Sequence, residues 1–260
     1  MKTLFGTTFD FVASLGEDCA CALYLRKYGL RDCSSPMDWV FKASFETRID
    51  MVCGGFAGYV EKEDLRMLQK DPGYLQDHAN DAYENTRNGF WFVHDFPAGI
   101  PFDKAYGLVR TIYDRRAKRF MARASSARNA LFVWWSKDKY IPDDVLAHSL
   151  ERLSKTFPET DVRLLVFEND LSIAEPELSR PSPRIIRARG PFVPVAGITM
   201  GDQRACGKVF SKIRRRGMRR DAAKRLLAEI AVRIVSGMHL SRKARRAAKK
   251  RLSEKWIGHA

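Results

Sequence analysis

Long apolar runs alternate with segments of helical periodicity along the middle of this chain. The runs at 131–135 and 163–167 are almost entirely apolar, and they follow segments 104–127 and 143–156, where apolar residues recur every three to four positions. Apolar runs without alternation are typical of strands buried on both faces, and a helix between two such strands indicates a parallel crossover. The pattern therefore predicts an α/β fold with a mostly parallel sheet flanked by helices.

Shorter patterns extend this prediction to both sides. They predict strands over 9–14 and 89–94, a weaker strand over 185–186, and a helix interrupted by glycines over 44–70. Asp18 and Gly29 are a typical N-cap and a typical stop for a helix over 19–28. We expect the strands over 9–14 and 89–94 to lie in the same parallel sheet as the two central runs.

The positive charge is concentrated at the C terminus. The net charge is +15, and residues 208–260 hold eighteen Lys and Arg against three acids, so residues 1–207 are balanced at 28 of each sign. Apolar spacing in this part predicts helices over 207–236 and 241–256. We therefore predict two units, an α/β domain over 1–206 and a basic amphipathic helical tail over 207–260.

The tail has three possible roles. A basic amphipathic helix can lie on an anionic membrane surface or bind another polyanion through residues 208–255. It can instead dock on the domain and offer its cations to RNA or DNA, although Phe210 and Trp256 are its only aromatic residues suited to stacking on bases. The third alternative is a solvated helix packed on the core. Nucleic acid is the less favoured of the two binding partners.

The sequence contains no apolar run of the length that a membrane span needs. The five cysteines are odd in number and irregularly spaced, which argues against a disulfide framework, and no Cys-x-x-Cys pair indicates a zinc site. We therefore expect a cytoplasmic protein, peripheral to the inner membrane if the tail binds lipid. We predict no metal and no cofactor.

Polar residues follow each predicted strand. The strand ends lead into Ser14–Cys19, His94–Asp95, Ser136–Asp138 and Glu168–Asp170. Ligands of open α/β sheets bind beyond the carboxyl ends of the strands. The sequence thus predicts a site at one edge of the sheet.

Cys19 and His94 are the two residues of this set with the chemistry of a nucleophile and a base. A thiol at a helix N terminus is stabilised as thiolate by the helix dipole, and an imidazole can form an ion pair with it. Asp138, Asn169 and Asp95, in that order, are candidates to orient the imidazole. The alternative is structural: a small buried cysteine and a hydrogen-bonded histidine at the end of an apolar strand.

Three blocks of sequence resemble a known family. They are SLGEDCACALYLR at 14–26, SPMDW at 35–39 and HDF at 94–96. Their arrangement is similar to that of a bacterial family of unknown function described as papain-like cysteine peptidases. The resemblance covers roughly residues 9–170 and leaves out the tail. It implies that Cys19 is a nucleophile with His94 as its base.

Three functional hypotheses follow. The first is a cysteine-dependent hydrolase, peptidase or acyl transferase that acts on a peptide, acyl or glycan substrate through Cys19 and His94, with Asp138 or Asn169 orienting the imidazole. The second is a non-peptidase protein of surface-polysaccharide assembly, peripheral to the membrane, whose sheet edge binds a sugar or nucleotide. The third is a nucleic-acid-binding module.

Overall fold

The computed structural model describes residues 3–70, 80–136, 140–192 and 203–218. The strands in these ranges are β1 (Phe11–Ser14), β2 (Val40–Lys42), β3 (Leu65–Gln69), β4 (Asn80–Asn85), β5 (Phe90–Pro97), β6 (Asn129–Ser136), β7 (Asp161–Asn169), β8 (Glu177–Ser182) and β9 (Ile185–Gly190). The helices are α1 (Cys19–Lys27), α2 (Phe45–Cys53), α3 (Phe102–Ser126), α4 (Asp143–Thr156) and α5 (Gln203–Phe210).

The larger sheet has the order β1-β6-β7-β9-β8. The pairs β1–β6, β6–β7 and β7–β9 are parallel, and β8 alone pairs antiparallel, with β9. Helix α4 connects β6 and β7 of this sheet and α3 leads into β6, both where the apolar spacing predicted helices, and the weak strand over 185–186 is confirmed as β9. The prediction of an α/β fold with a mostly parallel sheet is therefore confirmed for this half of the molecule.

Both faces of the larger sheet are buried, which explains its continuous apolar runs. Along β6, Ala130, Phe132 and Trp134 face one core with α2, α3 and α4. The alternate residues Leu131, Val133 and Trp135 face a second core with α1 and α5. Side chains of successive strand residues point to opposite faces, so a strand between two helical layers has no solvent-facing position to fill with polar residues.

The second sheet corrects one of our predictions. Strand β5 belongs to an antiparallel sheet of order β2-β5-β4-β3, and not to the parallel sheet in which we placed the run 89–94. Its inner face carries Phe90 and Phe92, which join the first core, whereas Trp91 on the other face is half-buried. An aromatic residue on the outer face made the run resemble a strand buried on both sides.

The region predicted as one interrupted helix over 44–70 divides into three elements. Helix α2 ends at Cys53, a 3₁₀ turn covers Lys62–Asp64, and β3 follows. Ser44 caps α2 by accepting a hydrogen bond from the Thr47 amide at 3.1 Å. Strand β3 has only five residues, LRMLQ, and its alternation of apolar and polar residues ends at Leu68, so the sequence carries little strand signal there.

The start of the predicted tail packs on the domain. The expected boundary between residues 206 and 207 falls inside α5. Because α5 ends at Phe210, the prediction of a continuous helix over 207–236 is wrong after residue 210. Residues 211–218 form turns, and the buried Arg215 lies 3.6 Å from Asp32. Residues 219–260, with the rest of the predicted tail, lie outside the described residues. Of the helices in the described ranges, none is long and apolar enough to cross a membrane.

Gly16 gives a test of how closely α1 packs on the end of β1. A Cβ placed on Gly16 would lie 2.5 Å from Cys21 Cβ. We expect Gly16→Ala to lower the free energy of unfolding by about 2–3 kcal/mol, because α1 must shift to relieve the overlap. Urea denaturation measures this change. Gly107→Ala is the matched control, because Gly107 is exposed in α3 and nothing lies within 4 Å of a Cβ placed on it. This substitution should raise the free energy of unfolding by about 0.5–1 kcal/mol. Equal effects of the two substitutions would contradict the close approach.

Candidate functional site

Cys19 is the first residue of α1 and follows the loop that leaves β1. The loop runs along the end of β6, where the Leu15 amide donates to the Val133 carbonyl at 2.8 Å. Asp18 caps the helix, and its carboxylate accepts a hydrogen bond from the Ala20 amide at 2.8 Å, as predicted. The Cys19 side chain therefore lies at the positive end of the helix dipole. Only 5% of Cys19 is exposed.

His94 lies in a bulge of β5. Phe92 pairs with Tyr83 and Phe96 pairs with Asp81, so residues 93–95 oppose a single residue of β4. In a regular strand His94 would share the core-facing side of Phe92. Instead its ring lies 5.7 Å from the ring of the half-buried Phe41. The bulge thus directs the imidazole away from the core.

Asp95 fixes the other side of this bulge. Its carboxylate accepts a hydrogen bond from the Tyr113 hydroxyl of α3 at 2.8 Å and lies 3.9 Å from Arg116 Nη1. Burial raises the pKa of Asp95, and the nearby Arg116 guanidinium, the Tyr113 hydroxyl and His94 act in the opposite direction. These polar contacts with α3 fix the backbone of β5 at the bulge, next to His94.

Arg48 links the Cys19 loop to the strand beside His94. Its Nη2 donates to the Glu17 carbonyl at 3.2 Å and to the Lys42 carbonyl at 2.7 Å. The guanidinium also lies over the rings of Phe90 in β5 (4.9 Å) and Trp134 in β6 (5.6 Å), one from each sheet. Arg48 is fully buried, and burial lowers its pKa to about 10, so the side chain stays charged at neutral pH.

The backbone at the end of β2 is in the left-handed region at two consecutive residues that are not glycine. Lys42 has φ +59° and Ala43 has φ +49°. Such residues cost about 1–3 kcal/mol each and occur preferentially at functional sites, where the surroundings hold them. Here Arg48 holds both, because Nη2 donates to the Lys42 carbonyl and Nε to the Ala43 carbonyl at 3.5 Å.

A buried ion pair supports the segment before β2. Asp38 accepts hydrogen bonds from Arg31 Nη1 at 2.5 Å and from the Ser35 amide at 2.8 Å. Desolvation raises the pKa of Asp38, and the Arg31 guanidinium opposes the rise. Arg31 also lies 5.6 Å from the Trp39 ring, which meets the His94 ring edge-on at 6.3 Å. Arg31 and Asp38 thus position an aromatic neighbour of the imidazole.

The residues predicted to orient the imidazole have different outcomes. Asp138 lies outside the described residues. Asn169 is at the end of β7, two strands from β1, and its side-chain oxygen accepts a hydrogen bond from the Phe192 amide at 3.1 Å. Two strand spacings amount to about 10 Å. The expectation that β5 delivers His94 to the edge of the parallel sheet was wrong, because β5 is in the other sheet.

Our sequence-based prediction did not include Arg48, Arg31 or Trp39. An arginine inside a helix normally indicates a solvent-facing position, and nothing in the α2 sequence distinguishes Arg48 as buried. Trp39 and Asp38 stood in one of the blocks that carried the family resemblance, which was the available signal. Among the residues described, no group of three His, Cys, Asp or Glu side chains could hold a metal ion.

The chain is similar to known proteins over somewhat more than half of its length. The model of the family described as "Putative papain-like cysteine peptidase (DUF1796)" matches residues 10–167, which is more than half of the chain and includes Cys19 and His94. Uncharacterized protein R408 of Acanthamoeba polyphaga mimivirus is 29% identical over 151 residues. That match spans 54% of this chain and 66% of the viral protein, slightly under two thirds of its length. No solved structure matches significantly.

Substitutions at Arg48 test whether its forked contacts or its charge matter more. The lowering of the Arg48 pKa from 12.5 to about 10 corresponds to about 3 kcal/mol that burial costs the charged form. Arg48→Met removes this cost together with the hydrogen bonds. Arg48→Lys keeps a buried charge but cannot serve the same carbonyls from a planar fork. We expect Arg48→Lys to lower the free energy of unfolding, measured by urea denaturation, by about 2 kcal/mol or more beyond the effect of Arg48→Met. A smaller loss of stability in Arg48→Lys than in Arg48→Met would contradict the role of the planar guanidinium.

Cys21 gives a prediction for alkaline pH. Burial raises the pKa of its thiol from 9.0 to about 12, because the charged form is excluded from the core. The folded state therefore favours the protonated thiol, and this contribution is complete below pH 9 and is lost as pH rises from 9 towards 12. Between pH 9 and 10.5 the free energy of unfolding should fall by about 2 kcal/mol more in the wild type than in Cys21→Ala. Parallel losses in the two proteins would show that Cys21 does not carry the effect.

Proposed function

This chain belongs to the family described as papain-like cysteine peptidases, and on that premise we propose that it is a cysteine-dependent acyl hydrolase with Cys19 as nucleophile and His94 as general base. The residues matched by the family include both side chains. A thiol and an imidazole are the pair that such chemistry requires.

One observation carries the proposal: a single buried guanidinium links the loop before Cys19 to β2, the strand that pairs with the strand of His94. Arg48 Nη2 binds the carbonyl of Glu17, two residues before Cys19, and the carbonyl of Lys42 in β2. Strand β2 pairs with β5, and Phe41 of β2 contacts the His94 ring. The loop before Cys19 is therefore hydrogen-bonded to the same guanidinium as β2, and β2 is the neighbour of the strand that carries His94.

Two local influences act on a thiolate at Cys19 in opposite directions. The N terminus of α1 offers its amide groups and its dipole to a negative charge. Glu17 and Asp18 beside it oppose that charge, so a cation is needed to offset them. A protonated His94 supplies this cation while storing the proton that the reaction later needs.

The reaction then has two halves. His94 takes the Cys19 proton, and the thiolate attacks the carbonyl carbon of the substrate to form a thioester as the leaving group departs with the proton from His94. Water then attacks the thioester, His94 accepts a proton from it, and the acid is released with Cys19 protonated again. Replacing water by another nucleophile turns the same sequence into acyl transfer.

Alkylation kinetics test the pair without a known substrate. A thiolate paired with an imidazolium reacts with iodoacetamide below pH 7, where an ordinary thiol of pKa about 8.5 is protonated. We expect Cys19 to be labelled at pH 6 at least 10-fold faster than free glutathione, as measured by mass spectrometry of the Cys19 peptide. His94→Asn should abolish this advantage and leave a single rise in rate above pH 8.

Matched variants separate this outcome from a general loss of structure. His148→Asn in α4 and Cys53→Ser at the end of α2 should leave the labelling of Cys19 unchanged. Fully buried Cys21 should stay unlabelled in every folded variant. Cys19 that reacts no faster than glutathione, or that keeps its advantage in His94→Asn, refutes the proposal.

A further inference from the structure

We propose that the aromatic side chains Trp39, Phe41 and Trp91, next to His94, bind an apolar group of the acyl donor, and that Lys42 binds an anionic group beside it. This inference rests on the proposed function, because it assigns the surface to the substrate of Cys19 and His94. It adds the chemical class of that substrate: an acyl compound with an aromatic or aliphatic group adjoining a carboxylate.

Trp39 and Phe41 both contact the His94 ring, and Trp91 is the cross-strand partner of Phe41. The Trp39 ring meets the His94 ring at 6.3 Å, and the Phe41 ring lies 5.7 Å from it on the β2 side. Phe41 pairs across the sheet with Trp91. The imidazole thus has two aromatic neighbours, and a group bound beside it can contact their rings.

Packing of the sheet does not account for these aromatic residues. The core side of the same strands is filled by Val40, Phe90 and Phe92, which are fully buried. Phe41 and Trp91 are on the opposite face and are half-buried. Further along this face the next strands place Glu84 and Arg66, an ion pair at 3.1 Å. The outer face is therefore polar at one end and aromatic only beside His94.

Lys42 places a charge beside these aromatic residues. Its Nζ lies 5.2 Å from the centre of the Trp91 ring, and its side chain is exposed. Within the part of the chain that the structure describes, no carboxylate forms an ion pair with it. Lys42 is the last residue of β2, and its backbone turns there because it adopts the left-handed conformation. Arg48 stabilises this turn by donating to the Lys42 carbonyl. A cation beside an apolar surface complements an apolar group that carries a carboxylate.

Three alkylating probes test this assignment: iodoacetamide, N-benzyl-iodoacetamide and the same benzyl reagent with a para carboxylate. Each rate at Cys19 is divided by the rate with glutathione, which removes intrinsic reactivity. We expect the benzyl reagent to react about 10-fold faster than iodoacetamide, equivalent to about 1.4 kcal/mol, and the carboxylate to add a further increase of about 3-fold. Phe41→Ala and Trp91→Ala should reduce the benzyl preference to near 1, and Lys42→Gln should remove only the increase due to the carboxylate.

Leu178→Ala is the control, since Leu178 is an exposed apolar residue on β8 of the other sheet and should leave every ratio unchanged. If either alanine variant fails to fold, judged by labelling of Cys21, Trp91→Leu and Lys42→Gln carry the test. Two results overturn this inference and leave the proposed function standing. In the first, labelling of Cys19 depends on His94 but shows no preference for the benzyl reagent. In the second, the benzyl preference persists in Phe41→Ala and Trp91→Ala. Absence of fast labelling with all three probes refutes the proposed function itself.

Discussion

The buried guanidinium of Arg48 contacts both sheets of this molecule inside the core that they share. It lies over Trp134 of the parallel sheet and Phe90 of the antiparallel sheet, and it donates to the Glu17 carbonyl and to carbonyls at the end of β2. Burial of a charge is costly unless hydrogen bonds compensate it. The Glu17 and Lys42 carbonyls can accept these hydrogen bonds only if the loop before Cys19 and the end of β2 keep their positions. The buried cation therefore constrains the positions of both segments.

The bulge of β5 is the second constraint. Two extra residues in this strand turn His94 outward, while Asp95 is held inward by Tyr113 of α3. A bulge exposes one side chain without removing the strand from the core, because Phe92 and Phe96 on either side stay buried. The same local geometry therefore serves both packing and the presentation of the imidazole among Trp39 and Phe41.

The candidate nucleophile and base were predicted from sequence, but the residues that position them were not. Cys19 stood out because a helix N-cap precedes it, which is a local signal. Arg48 positions the loop before Cys19 through the Glu17 carbonyl, 31 residues earlier in the chain, and residue type says nothing about such a partner. Asp95 was a candidate to orient the imidazole, but its hydrogen bond with Tyr113 was not predicted. Asn169 looked suitable because it ends a strand of the parallel sheet, yet its side chain binds the backbone at Phe192.

The sequence alone determined the parallel sheet, the caps of α1 and the helices α3 and α4, because these depend on periodicity and on residues close together in the chain. Only the tertiary structure decided that β5 pairs antiparallel, that Trp91 faces outward and that Arg48 is buried. An apolar run is compatible with either sheet, and its hydrogen-bonding partners are strands such as β2 and β4, which are only three and six residues long and carry little strand signal of their own. Strand pairing between distant segments is a property of the folded chain, and the surroundings of His94 follow from that pairing.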